Sequence, residues 1–476
     1  MMLIIETITW KPHIETAIEI AFDRVESGED VFYVNLREGL PVCEDRSFMH
    51  FLVDLPRIRM KSASRLLSNT NIEVVDSEYG DDVIIKAEAA AKKIMGDCHS
   101  IDDVKKIKYE EFDDIGWGVL SSLISITRNS RIDFNKNKRA IFNYFKSSLM
   151  VYLQVQKLIE QYDPDEVLLF NGRFATTRAV LRAADSMGRR SWMIHERGCD
   201  KDHYWIGDVM PHDNVALQKR INDAWRPELI EDGRRFFQAR RDRVERHWHV
   251  HTLKQEKGKL PREFNKKSKW VIFFTSSEDE MVAIGDKYIN HHFPDQILAI
   301  QWLSSIVQGI DGLKMCVRVH PNIASKGASD RSRWDEMEVP DSVLIRSDDD
   351  IDTYALIDNS HVVCTYGSTV GVEATYWGKP SLLLANAAYD CLDVAMMAES
   401  ESQVEAYLRA PFNYPQKNAI KYGAYYEAFG TKYRFYKADT LHRGSLKGVY
   451  LDDNIAIKSY RFMLNILNKC ASIFRA

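Results

Sequence analysis

The sequence has no run approaching the roughly 18 consecutive apolar residues that a membrane-spanning helix requires. It also has no C-x-x-C pair. Its seven cysteines, Cys43, Cys98, Cys199, Cys316, Cys364, Cys391 and Cys470, are scattered and odd in number. That pattern argues against a disulfide framework or a zinc ribbon and fits reduced thiols in a cytoplasmic protein. A basic excess is missing too: the formal net charge is -5, so the chain carries no global nucleic-acid footprint. There is no internal repeat and no low-complexity tract. The apolar start, MMLIIETITW, lacks a basic leader and a small-residue cleavage site, and it reads as a first strand, not as a signal peptide.

What is present is an ordinary globular composition, 45% hydrophobic and 28% charged over 476 residues, enough for two or three domains with a sizeable core. Short apolar runs alternate with longer helical patterns in both halves, the signature of βαβ units and parallel sheets. Strands are expected at 3–6, 31–35, 72–75, 167–170 and 191–195, then at 270–274, 315–319, 343–346, 361–365 and 381–384. The expected division is a first Rossmann-like domain over 1–250 with a helical insertion at about 101–162. A linker over 251–269, a second such domain over 270–452 and an amphipathic last helix over 453–476 complete it. That helix is expected to cross back to the first domain, with membrane-surface binding as the alternative. Segment 234–269 carries thirteen Lys/Arg against four Asp/Glu. It reads as a solvated helix and linker, or else as a basic surface for anionic lipid or glycan.

The strongest local pattern lies in 361–384. An apolar run ends at Thr365, Gly367 permits a tight turn, and Ser368 suits the cap of a helix starting at Thr369. Amides at a helix start point at an anion. Glu373 lies one turn on, placed for ribose hydroxyls or for a neighbouring cation. Arg318-Val-His320-Pro321-Asn322 closes a neighbouring strand, where His320 can donate to a phosphate oxygen. Thr275, Ser276 and Ser277 come after the first strand of the second half, and Ser276 is a further phosphate candidate, with an N-cap role as the alternative. Asp348, Asp349 and Asp350 read as the start of a helix capped by Ser347, not as metal ligands. His247, His249 and His251 lack partners at metal-binding spacing.

In the first half, Asn171-Gly172-Arg173 ends one strand and His195-Glu196-Arg197-Gly198 ends the next. Glu196 is therefore a candidate general base or nucleophile, or else a member of an ordinary loop ion pair. Asn171, Arg173 and Arg197 are candidates for acceptor or sugar hydroxyls. The 9–12 and 37–39 loops are weaker candidates for the same edge.

Together these loops resemble bacterial capsule and surface-polysaccharide biosynthesis glycosyltransferases of the β-Kdo transferase group and, more distantly, bacterial sialyltransferases. The resemblance covers about 165–198 and 271–384. It implies a GT-B fold, two Rossmann-like domains with parallel sheets facing a central cleft. It also implies a CMP-activated sugar donor of the Kdo or ulosonic-acid type, and a glycan or glycolipid acceptor at the inner face of a membrane. Glu196 would be the catalytic carboxylate, with His320, Ser368 and Thr369 as phosphate ligands and no metal or other cofactor. Here the middle residue of Glu-Arg-Gly departs from the acid or small residue of many relatives. The His-Pro and Ser motifs are shared with CDP-glycerol-type polyol-phosphate transferases. A UDP- or GDP-sugar donor, a nucleotide-sugar epimerase and a non-catalytic nucleotide-binding scaffold are the other readings.

Overall fold

The computed structural model describes the chain apart from residues 46–53, 76, 189–190, 245–249, 266, 278–281, 289–292, 294 and 453–476. The expected last helix, His247 and His249 lie outside the described residues. In chain order the first part holds β1 (Met2–Glu6), α1 (His13–Glu26), β2 (Val31–Asn35), α2 (Leu55–Leu67), β3 (Glu73–Val75), α3 (Asp81–Asp97), α4 (Ile101–Lys106), α5 (Ile115–Thr127), α6 (Phe134–Tyr162), β4 (Glu166–Phe170), α7 (Ala175–Ser186), β5 (Ser191–Arg197) and β6 (His203–Gly207). Next come α8 (Asn214–Ala224), α9 (Ile230–Arg241), β7 (Lys269–Phe274), α10 (Gln296–Gln308), β8 (Leu313–Arg318), α11 (Ala328–Asp335), β9 (Ser342–Ile345), α12 (Thr353–Asp358), β10 (Ser360–Thr365), α13 (Val370–Tyr376), β11 (Ser381–Leu383), β12 (Met396–Met397), α14 (Glu401–Arg409) and α15 (Gln416–Ala428). The chain then adds β13 (Thr431–Lys432), β14 (Tyr436–Thr440) and β15 (Arg443–Leu446).

Two compact units result. One holds Met1–Ile126, Ile132–Met210 and the chain from Gly430; the other holds Pro211–Phe429 with the short excursion Thr127–Arg131. The break therefore falls near 210, not at 250 as the sequence reading has it, and the return begins at 430, not 453. The reason is packing. Phe237 of α9 stacks on Tyr376 with ring centroids 4.2 Å apart. Gly233 of α9 meets α15 so closely that an added Cβ would sit 2.4 Å from the Ile420 carbonyl oxygen. The charged face of α9 reads as a solvated helix at the end of the first domain, while its apolar face, with Phe236 and Phe237, is core of the second unit.

Each unit is Rossmann-like. The second has a wholly parallel sheet in the order β12-β11-β10-β7-β8-β9. Counted from β7, that is the doubly wound order 3-2-1-4-5-6, with its switch point between β7 and β10. Strands buried on both faces read as continuous apolar runs, and β7 (KWVIFF) and β10 (SHVVCT) do so. Val271, Phe273, Val317, Val362 and Cys364 fill one side of this sheet, and Ile272, Cys316 and Val363 the other. The first unit has the order β13-β6-β5-β4-β1-β2-β3, parallel from β5 to β3, with β6 antiparallel to β5 and to β13. Its switch point lies between β1 and β4.

Candidate functional site

In open α/β sheets ligands bind beyond the carboxyl ends of the strands at the switch point. In the second unit the loops that emerge there are those after β7 and β10. A cavity of about 650 Å³, counted out to its open mouth, opens beside them. Its lining includes Thr275, Arg318, His320, Ser368, Thr369 and Glu373.

The loop after β10 turns at Gly367, whose φ of +88° belongs to the left-handed region; a Cβ there would lie 3.0 Å from the Asn386 carbonyl oxygen. The helix α13 begins one residue later than the sequence reading has it. Thr369, not Ser368, is its cap, and it runs for seven residues. The Ser368 carbonyl accepts the Tyr389 hydroxyl. Gly371 makes that contact possible, since a Cβ there would be 2.3 Å from the Tyr389 oxygen. Among the described residues the amides of Gly367, Ser368 and Thr369 have no acceptor in the protein. They are the donors an anion would meet.

Glu373 is 2% exposed and its oxygens are occupied. Arg240 Nε donates to Oε1 at 2.9 Å, and the Tyr354 hydroxyl donates to Oε2 at 2.6 Å. Arg240 Nη2 also donates to Thr369 Oγ1 at 3.0 Å. Of the two readings of Glu373, a ribose or a neighbouring cation, the structure supplies the cation. Burial opposes the charge on Arg240, and Glu373 with Tyr354 outweighs it, so its pKa is raised. Burial, aided by Glu373, holds the Tyr354 phenol well above its usual range. Arg240 was hidden in the sequence by the charge run around it.

His320 caps the short 3-10 turn Pro321–Ser325. Its Nδ1 accepts the Asn322 amide at 3.1 Å, so in the neutral ring the proton sits on Nε2. Its own amide donates to Thr275 Oγ1 at 2.8 Å, which ties the β7 and β8 loops together. His251 meets it edge to face at 5.0 Å. His251 lies in the segment read as linker and lines the cavity.

Arg318 is 2% exposed. Its guanidinium donates to the carbonyls of Arg346 and Asp349, and its Nε has no partner. Burial pushes its pKa down to about 10. Among the described residues it makes no ion pair, so a buried cation underlies the cavity. In the acidic triplet, the Asp349 side chain accepts the Arg346 amide at 2.7 Å and Asp350 pairs with Lys259 at 2.6 Å. Residues 347–350 form a turn, not the start of a helix; α12 starts later, capped by Asp352. Ser276 stands beside the cavity without lining it: its hydroxyl donates to the Tyr366 carbonyl at 3.0 Å, and the lining hydroxyl is that of Thr275.

The first unit brings together a second cluster. Asn171 has φ +57°, a conformation asparagine tolerates, and its Nδ2 donates to Glu196 Oε2 at 2.6 Å. The Arg197 amide donates to Oε1 at 3.0 Å. The Glu196 side chain is 23% exposed. Arg197 itself turns to the Lys11 carbonyl at 2.6 Å and to His442 at 3.0 Å. Arg173 points elsewhere, reaching Ser125 at 3.3 Å and lying over the Phe174 ring. Of the weaker loops, Thr9 and Arg37 are tied to each other through Asp45. His13, just past the 9–12 loop and unmarked by any motif, stacks on Phe170 at 3.8 Å.

Burial, then Arg197 and the neighbouring His195, hold the His13 pKa well below the ordinary 6.5. The folded chain therefore binds fewer protons at His13 than the unfolded chain does, and its contribution to stability is lost as pH falls below about 6.5. Glu6, raised by burial, works in the opposite sense: its contribution is lost as pH rises above the ordinary 4.5. Denaturant unfolding at pH 5 and 7.5 is expected to show lower stability at pH 5, with a smaller difference in His13→Gln. An unchanged difference would mean that His13 protonates freely in the folded chain.

No protein-family model matches the chain, and a search of curated proteins finds no match. Among solved structures the chain is similar to the KpsC β-Kdo 2,4 transferase of Thermosulfurimonas dismutans, at 15% identity and a TM-score of 0.38, over 55% of this chain and 79% of that one. The β-Kdo 2,7 transferase of the same KpsC gives 12% and 0.36, over 57% and 80%. The UDP-GlcNAc 2-epimerase of Neisseria meningitidis gives 11% and 0.30, over 78% and 95%.

Proposed function

We propose that this chain is a glycosyltransferase that takes its sugar from a nucleotide-activated donor whose phosphate is held in the cavity of the second unit. One observation carries the reading. At a Rossmann switch point, a buried arginine without a carboxylate partner among the described residues meets a turn of unoccupied amides and a histidine. That set suits a phosphate and costs free energy without one. The finer reading is a CMP-activated ulosonic acid of the Kdo kind, transferred to a hydroxyl of a surface glycan or glycolipid. It rests on the motif set, Glu-x-Gly with His-Pro and Gly-Ser-Thr.

As the bond between sugar and phosphate breaks, charge grows on the leaving phosphate. Arg318, His320 and the amides at 367–369 stabilise it. The dipole of a helix contributes only about 0.3–2 kcal/mol, and α13 is short. Enzymatic acceleration requires about 8–23 kcal/mol, so fixed charges, positioning and a reacting carboxylate must supply most of it. Glu196 fills that last role. It deprotonates the acceptor if the reaction inverts, or attacks the anomeric carbon if it retains.

Calorimetric titration with CMP, CDP, UDP and GDP tests the reading. We expect CMP to bind best, and His320→Ala to weaken it about tenfold or more, the value of a hydrogen bond to a charged group. Failure of all four nucleotides to bind would overturn the reading. Because protein cations face the phosphate, activity is expected to survive EDTA; complete loss reversed by Mg²⁺ would contradict this. No helix among the described residues is long and apolar enough to cross a membrane. We place the protein in the cytoplasm, with peripheral contact at the inner membrane surface where a glycolipid acceptor would lie.

A further inference from the structure

We propose that His13 is a positioning residue for Glu196: a buried imidazole that faces the carboxylate and keeps it available to take a proton. This rests on the reading of Glu196 as the reacting carboxylate.

His13 is the first residue of α1, at the β1/β4 switch point of the first unit, where a ligand of that sheet would sit. Its Nε2 lies 3.7 Å from Glu196 Oε1. That is within ion-pair reach and slightly beyond a hydrogen bond, so a small shift of either group closes it. The ring packs against Phe170, centroids 3.8 Å apart and planes tilted by 32°.

The charges around His13 come from four elements. Glu196, Arg197 and His195 are on β5, and Arg59 is on α2. His442 is in the β14–β15 turn, and Glu6 on β1 acts through His195. Both arginines are occupied. Arg59 is bonded to Glu15 at 2.7 Å and to the Thr9 carbonyl at 3.1 Å, and Arg197 to the Lys11 carbonyl and His442. They still bring positive charge close to the ring, and with burial they hold His13 uncharged. A protonated His13 would form a salt bridge with Glu196 and quench it as a base. An uncharged His13 can still offer an N–H to the carboxylate.

Behind this pair lies a second anomaly. His195 Nε2 stands 3.3 Å from Glu6 Oε1, and both side chains are fully buried. His195 Nδ1, His13 Nδ1 and Glu6 Oε2 are all buried without a partner. The His13 and His195 rings are 6.3 Å apart. Three unsatisfied polar atoms in one neighbourhood are costly, and a fold that served packing alone would fill the space with apolar groups.

In the step itself, the acceptor hydroxyl passes its proton to Glu196 as its oxygen bonds to the sugar. The bond from sugar to phosphate breaks with its electron pair on the phosphate. His13 neither gains nor loses a proton overall.

Two measurements test the role. The first is NMR of the full-length chain with labelled histidine, with His13 assigned by its loss in His13→Asn. The His13 ring signal should show an acid-side step that disappears in Glu196→Gln; an identical titration in both proteins overturns the proposal. If His13→Asn does not fold, the same comparison is made across all histidine signals, and no difference between wild type and Glu196→Gln overturns it. The second is release of CMP from a CMP-sugar at pH 5 and pH 8. An N–H facing a carboxylate favours its charged form, so His13→Asn should lose about twofold or more at pH 5 relative to its loss at pH 8. Equal loss at both overturns the proposal. Glu196→Gln separates the two claims. If it keeps wild-type turnover, the reading of Glu196 falls; if it is inactive while His13→Asn shows pH-independent loss, only the role of His13 falls.

Discussion

Glu196→Gln is expected to lower turnover by about a hundredfold to ten-thousandfold, the range for loss of a positioned acid–base group. CMP affinity should stay within about twofold, because Glu196 belongs to the first unit and the phosphate cavity to the second. A small stability loss, about 1 kcal/mol, should accompany it. The carboxylate takes one donor on each oxygen, Asn171 Nδ2 and the Arg197 amide. A glutamine offers one oxygen, so one donor loses its acceptor. CMP release from a CMP-sugar measures the first effect and titration with CMP the second. Near wild-type turnover would remove Glu196 from either catalytic role, and a collapse of CMP affinity would mean that the variant does more than neutralise a carboxylate.

The second large effect is expected at Glu373. Its replacement by alanine leaves Arg240 and the Tyr354 hydroxyl without their acceptor. Removing one partner of a buried pair costs about 3–5 kcal/mol. The Arg240 side chain is 22% exposed, so the lower end, about 3 kcal/mol, is expected in denaturant unfolding. Thr369 Oγ1 also loses its acceptor, Glu373 Oε1 at 3.3 Å, and the arginine that donates to it loses its anchor, so CMP affinity should fall with stability. The double variant Glu373→Leu with Arg240→Met separates the two effects. Apolar replacement of a buried ion pair is often neutral, so stability should recover while CMP affinity stays low. Recovery of both would show that the pair serves stability alone. A loss below about 1 kcal/mol in Glu373→Ala would show that the pair contributes little.

Both predictions depend on contacts of different legibility. The strands were readable because parallel strands buried on both faces must be apolar throughout. The expected 31–35 matches β2, and 270–274 and 361–365 fall within one residue of β7 and β10. The loops carrying Asn171, Glu196, His320 and Ser368 were readable for a related reason: in a βαβ chain, the residues just past a strand's carboxyl end lie on the ligand-binding edge. The antiparallel β6 and the β14–β15 hairpin went unread, since short strands of mixed polarity, such as HYWIG and YKADT, have no clear period.

The sequence alone therefore determined which loops lie at the two sheet edges, because local period and strand ends dictate that placement. Only the tertiary structure decided what those residues touch. Arg240 meets Glu373 across 133 residues, His195 meets Glu6 across 189, and His320 is set by Thr275 across 45. No spacing rule encodes such pairs; they depend on which helix face packs inward. The turn after β10 changed most. Read as a helix start gripping a phosphate, it opens a seven-residue helix beside a cavity that Arg240, His251, Arg318 and His320 from other elements also line. Charge supplied by distant side chains is invisible in one dimension, and the proposed site depends on it.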